Sequence, residues 1–288
     1  MITAPGVYLD ITPEEYFGNL TPERALSASG VKTLLTATPA EFHAPPKKSN
    51  AAQRRGDVSH QLALGKGRGY AFGEYAAWNS NDAKKFKADA EAAGLTPVKA
   101  HEFAECERQA DVMRVRIEQT LADLNGGVLP EYQTEAVMVW REETAAGPIW
   151  CKLMADVWCA SLGIILDPKF TSRLGDGVFE AHATAMGWDI QAAWYQRGAT
   201  VLHPEMAGRI RFANLCVHPD PPHVSRAREA DEATRYSCET EIDRAKEIFG
   251  RCLYADEWPG YPRGIEPWTA RARTINERMT RAAMEDAE

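Results

Sequence analysis

Ala155-Asp156-Val157-Trp158-Cys159-Ala160-Ser161-Leu162-Gly163-Ile164-Ile165-Leu166-Asp167-Pro168-Lys169 sets three charged residues in an otherwise apolar run that turns back on itself near Ser161 and Leu162. The pattern predicts a strand, a tight turn and a second strand. Side chains alternate along a strand, so Asp167 and Lys169 share a face. If the hairpin folds symmetrically about Ser161-Leu162, Asp156 stands opposite Asp167, with side-chain origins about 5 Å apart. A slip of one residue would turn Asp156 to the other face. Pro168 lacks an amide proton and predicts an irregular strand or a sheet edge. Charges buried without partners cost on the order of several kcal/mol each. A metal ion facing both carboxylates is the simplest compensation, with Lys169 beside them to hold a phosphate oxygen or an attacking water.

Working outward, residues 132–140 read as a preceding strand, so 132–170 form a meander. Glu135 starts it, and either points toward the two aspartates or sits exposed at the strand end. Upstream the chain reads as helical. Thr12-Pro13-Glu14-Glu15 and Thr38-Pro39-Ala40-Glu41 are N-caps followed by proline at the first helical position, and residues 26–35 look like a capped helix. After a polar, basic loop at 45–50, a helix over 51–64 carries Arg54, Arg55, Gly56 and His60. Gly56 lies one turn before His60 and leaves room beside the imidazole. Taken alone, His60 reads as an ordinary packed or surface histidine. Residues 66–80 read as a loop, 81–93 and 98–124 as helices. Downstream, helices over 176–186 and 188–197 follow. Gln191 and Tyr195, four apart, share a face of the second, and an interfacial role would explain them equally well. A strand over 209–217, a helix over 230–249 and an irregular segment from Trp258 complete the reading.

The 288 residues, 44% hydrophobic, suffice for one α/β core with helical additions. We read one unit: a mainly helical region at 1–130 carrying His60, a sheet core at 131–217, and a helical or irregular extension at 218–288. The first residues have neither a basic region nor an apolar run, and no stretch approaches the length of a membrane span. A cytoplasmic protein without membrane association is expected. The six cysteines are dispersed without a Cys-x-x-Cys pair, so no zinc or iron–sulfur site is expected. The net charge of −8 argues against indiscriminate coating of nucleic acid but leaves room for a locally basic channel.

Gly56-Asp57-Val58-Ser59-His60, Asp156, Asp167-Pro168-Lys169, Gln191-Ala192-Ala193-Trp194-Tyr195 and Trp258-Pro259-Gly260-Tyr261 occur in this order. The order resembles the PD-(D/E)xK nuclease superfamily, in its RecB-like branch, and within that the RecE-type exonuclease VIII domain of phages and prophages. Leu26-Ser27-Ala28-Ser29-Gly30 and Thr38-Pro39-Ala40-Glu41-Phe42 are similar to that family's opening, so the resemblance spans most of the chain. Asp-x-Lys alone is a weak motif; the ordered set is specific.

The resemblance implies a mixed, partly antiparallel sheet flanked by helices, and magnesium-dependent hydrolysis of DNA phosphodiesters, processively from duplex ends in the 5′ to 3′ direction. Manganese is a plausible substitute. His60, Asp156 and Asp167 match the metal ligands, Lys169 the motif lysine, and Gln191 and Tyr195 the flanking glutamine–tyrosine helix. Glu135 is a further candidate for the catalytic group. Arg54, Arg55, Lys66 and Arg68, around His60, could line a basic passage for DNA or form a solvated patch. By analogy, the partners are duplex DNA ends, a single-strand annealing recombinase and further copies in a ring-shaped homo-oligomer; a phage-encoded chain would work in the host cytoplasm. The sequence departs from the family at Met154-Ala155, where Arg-Pro is usual, and at Phe170, where threonine is common and here follows as Thr171. An endonuclease or single-strand nuclease with the same metal site, and a non-catalytic nucleic-acid-binding or assembly protein, are the competing readings.

Overall fold

The computed structural model describes all residues except 46–50, 68, 271 and 286–288, and describes only the backbone of 51–53, 273 and 281–285. The charged hairpin sits in the middle of a six-stranded sheet. Its strands are β1 (Gly6–Tyr8), β4 (Gln133–Glu142), β5 (Ile149–Cys159), β6 (Ile164–Phe170), β7 (Arg211–Val217) and β8 (Ser225–Arg228), ordered β1-β4-β5-β6-β7-β8. All neighbouring pairs are antiparallel except β6 and β7, which run parallel. A separate parallel pair, β2 (Tyr70–Gly73) and β3 (Thr96–Lys99), lies between helices.

Capping chemistry starts the helices where the sequence predicts. Thr12 and Thr38 form capping boxes with Glu15 and Glu41 ahead of α1 (Pro13–Phe17) and α3 (Pro39–His43), and Ser27 caps α2 (Ala28–Thr36). The remaining helices are α4 (Ala51–Leu64), α5 (Asn81–Ala92), α6 (Ala100–Leu124), α7 (Val178–Met186), α8 (Trp188–Leu202), α9 (Glu232–Ala255) and α10 (Ala272–Glu285). They cover both faces of the sheet. On one face α2, α8 and α9 pack Val31, Trp194 and Phe249 against Met138, Trp140 and Leu153. On the other, α4 and α6 pack Leu64, Met113, Ile117 and Leu121 against Val157, Leu166 and Leu215. Fully burying each such large side chain contributes about 1.5–3 kcal/mol. Helix α8 comes so close to the sheet that a Cβ at Gly198 would stand 2.6 Å from the Trp140 ring. Glycine there is a packing requirement.

Several sequence expectations need correction. Residues 66–80 are not all loop, because Tyr70–Gly73 forms β2. The helix expected from 98 begins at Ala100, since Thr96–Lys99 pairs with β2. These strands are too short to show a period of two. Strands β1 and β8 were not anticipated, and the irregular segment after Trp258 gives way to helix α10. The expected loop at 45–50 falls almost wholly outside the described residues.

The hairpin register is the symmetric one. Val157 pairs Leu166, Trp158 pairs Ile165 and Cys159 pairs Ile164, around a turn over 160–163 in which Gly163 takes φ +63. Beyond Val157 and Leu166 the strands part, β5 continuing against β4 and β6 against β7 as far as Phe170 and Val217. Pro168 therefore lies in an interior strand, not at the sheet's edge. Its missing donor falls where β6 has left β5, so the ladder between them loses nothing. Ala155 and Val157, which strict alternation would put on one face, join opposite cores, so the backbone twists at Asp156. The fork and this twist position the charged groups.

Candidate active site

Strand registers assemble a polar row across four strands. Thr134 pairs Val157 and Ala136 pairs Ala155, so Glu135 faces Asp156 across β4 and β5. The hairpin register continued by one residue sets Asp156 opposite Asp167, and Asp167 pairs with Asn214. Glu135 drops out of the ladder with φ +51, a left-handed conformation costly for a side-chain-bearing residue.

The row is tied together by its neighbours. His60 Nε2 on α4 lies 3.1 Å from Asp156 Oδ2, and Lys169 Nζ lies 2.7 Å from Asp167 Oδ2. Asp167, 2% exposed, also accepts hydrogen bonds from Gln191 Nε2 (2.8 Å to Oδ1) and Asn214 Nδ2 (3.0 Å to Oδ2). The charge of Asp156 is felt at Asp167. Lys169 Nζ stands 6.0 Å from the centre of the Trp188 ring. The Tyr195 hydroxyl donates to the Met154 carbonyl at 3.0 Å. Tyr195 thus anchors β5 two residues before Asp156, whereas Gln191, one turn away, reaches the acid itself. Gly56 leaves open space, since a Cβ there would meet nothing within 4 Å.

Burial opposes every charge here, and the neighbours decide the outcome. For Asp156 the burial penalty is outweighed by the charge and hydrogen bond of His60, followed by Lys169, so its pKa falls below the ordinary value. For Asp167 burial wins over Lys169, with Asp156 adding repulsion, and its pKa rises. Burial pushes the His60 and Lys169 values down, but Asp156 and Asp167 respectively reverse this, and both rise. The Glu135 carboxyl, 5% exposed, is raised by burial despite nearby His60. Burial also holds the Tyr195 hydroxyl well above its ordinary range.

Among the described residues, no three His, Cys, Asp or Glu side chains stand as a ready-made metal shell. In donor chemistry the site nevertheless fits a hard divalent cation. A buried carboxylate, a partly buried one and an adjoining imidazole make an oxygen-rich set of the kind such ions prefer. His60 and Lys169 occupy carboxylate oxygens that a cation would compete for.

The basic residues diverge. Lys66 Nζ donates to the carbonyls of Leu9 and Thr134, both at 3.0 Å, and so pins the chain next to Glu135. Arg55 pairs with Glu102 at 3.5 Å and, with Arg54, lines a separate recess. Five residues of helix separate Arg55 from His60, about 140° around the axis. The expected single passage around His60 is therefore split between two places. Arg68 lies outside the described residues. Two site groups escape the sequence reading, Asn214 and Trp188. The parallel pairing of β6 with β7 brings in Asn214, and only its place inside a strand of Phe, Ala, Leu and Cys could have marked it.

No family model matches this sequence, and no curated protein matches it. A solved structure shares its architecture. A protein of Eubacterium rectale named a "putative exonuclease" aligns with TM-score 0.53 and 14% identity over 91% of this chain and 97% of its own. A phage-related exonuclease of Haemophilus somnus 129PT aligns at TM-score 0.34 and 11% identity over 83% of this chain and 99% of its own. The first of these establishes the class at the level of fold: a mixed α/β protein, its mostly antiparallel six-stranded sheet flanked by helices. Among the described residues no helix is long and apolar enough to cross a membrane.

Proposed function

We propose that the chain is a divalent-metal-dependent nuclease that hydrolyses DNA phosphodiesters, of the RecE-type branch of the PD-(D/E)xK superfamily. The observation that carries this reading is the meeting of Asp156, Asp167, Lys169 and His60 at the fork of β5 and β6. These residues come from one helix and two strands, with His60 far upstream of the other three in sequence. A purely structural role gives no reason to gather two carboxylates on adjacent strands beside a lysine and an imidazole. The exonuclease fold neighbour adds support at the level of architecture.

Asp156, Asp167 and His60 would hold Mg2+ or Mn2+, which supplies a polarised phosphate oxygen and a more acidic bound water. Lys169, held as an ammonium by Asp167, stabilises negative charge growing on the phosphate. Gln191 and Asn214 fix both oxygens of Asp167, so the carboxylate needs no reorganisation during the reaction. Tyr195 positions the strand that presents Asp156. Glu135, buried beside His60 with a raised pKa, accepts the proton lost by the attacking water. Action from duplex ends in the 5′ to 3′ direction, transfer of the product strand to an annealing recombinase, a ring-shaped oligomer and a cytoplasmic setting follow from the family resemblance.

The test is digestion of linear duplex DNA, labelled at one end of one strand at a time, by the wild type and Lys169→Ala, with magnesium and with chelator. Release of 5′ label that needs both metal and Lys169 is expected. Cleavage of closed circular duplex would replace exonuclease with endonuclease, and absence of metal-dependent cleavage on any DNA would overturn the nuclease reading.

A further inference from the structure

A second cationic site lies away from the carboxylate row. The start of α4, the end of β3 and the segment before α5 enclose a recess of about 90 Å³. Among the described residues, Arg54, Arg55 and Lys99 line it with Glu102 as the one carboxylate, and Trp78 and Val58 add apolar lining. Glu102 is shared, 3.1 Å from Lys99 and 3.5 Å from Arg55. One carboxylate is thus shared by two cations, Arg55 and Lys99. Trp78 is held in place by stacking on Phe86 at 6.1 Å, with Tyr75 packed against both rings. The volume admits a tetrahedral oxyanion and is well below the roughly 300 Å³ at which drug-sized ligand pockets begin. Planar guanidinium and ammonium groups around such a space are the usual recognition chemistry for phosphate.

We propose that this recess binds a backbone phosphate of the nucleic-acid strand whose scissile bond lies at the carboxylate row, with Glu102 as a built-in competitor that weakens the grip. The inference rests on the nuclease reading for the identity of the strand. Arg55 lies about 7.5 Å along α4 from His60 and about 140° around it, so a strand that meets both places passes around α4, over at least about two nucleotides at about 3.4 Å of rise each. A contact at that range tracks the strand and leaves the chemistry alone. Glu102 keeps the contact reversible, as movement along DNA requires.

The experiment combines two readouts on the full chain. Binding of a fluorescein-labelled 20-base-pair duplex is measured in chelator across 50–200 mM salt, and hydrolysis of bis(p-nitrophenyl) phosphate, too small to span both places, is measured with magnesium or manganese. In Arg55→Gln/Lys99→Gln the expectation is about tenfold weaker DNA binding at low salt and a log–log salt slope shallower by about 1–2. Hydrolysis of the small diester stays at the wild-type rate. Glu102→Gln, which retains an acceptor for the α6 cap, shifts binding the opposite way, to tighter and steeper. Arg55 is half exposed, so Arg55→Gln alone provides a folded variant if the double one fails. Unchanged affinity and slope in the charge variants would overturn the proposal, as would loss of small-diester hydrolysis with DNA binding intact. Wild type that binds DNA through Arg55 and Lys99 yet hydrolyses neither substrate would sink the nuclease reading while supporting the recess.

Discussion

Glu142, at the far end of β4 from Glu135, ties two helices to the sheet. Its carboxylate, 9% exposed, accepts bonds from Arg197 on α8 (2.7 Å each to Oε1 and Oε2) and from Lys246 on α9 (2.5 Å), and also from the Trp140 indole (3.0 Å). Burial raises its pKa, but these donors outweigh burial and bring it to about 2 from an ordinary 4.5. A folded-state value below the unfolded one means that the stabilisation is fully present above about pH 4.5 and is lost as pH falls toward 2. The difference corresponds to about 3 kcal/mol at neutral pH and about 1.4 kcal/mol at pH 3. Glu142→Gln should therefore lower the free energy of urea unfolding by about 3 kcal/mol at pH 7, with the gap to wild type at least halved at pH 3. A gap below about 0.5 kcal/mol at pH 7, the size of an ordinary exposed pair, or a gap that does not change with pH, would refute the reasoning. The consequence reaches the candidate site, because α8 also carries Gln191.

Asn214→Leu should remove one of the two amide donors on Asp167 and leave Lys169 as the remaining partner of Oδ2. A destabilisation of about 1.5–3 kcal/mol in denaturant is expected, together with reduced nuclease activity; wild-type values of both would show that Asn214 is a bystander. Glu135→Gly relieves a left-handed backbone and should leave stability equal or raise it by up to about 1 kcal/mol. Cleavage should nevertheless fall by about 100-fold, the scale of a lost general base, and full cleavage by this variant would remove Glu135 from the mechanism.

The sequence by itself determined the hairpin, its register and the spacing of the charges within it. Strand alternation and a symmetric turn suffice for that, since both are local, and the capping boxes at Thr12 and Thr38 are local for the same reason. It also identified His60 and Gln191 as candidates, through their order in a family's motif set and not through any contact legible along the chain. Tertiary structure alone decided which groups meet. The fork between β5 and β6 depends on where β6 exchanges one partner for another. Asn214 enters through the parallel register with β7, and Trp188 through the packing of α8. Glu135 is brought in by a backbone twist that no propensity records. Lys66, expected at DNA, spends its charge on two carbonyls, while Arg55 turns away from His60 because five residues of helix rotate it to another side. Helical and strand periodicity fix what one segment presents; the meeting of segments is set by long-range packing, and that information is spread over the whole core.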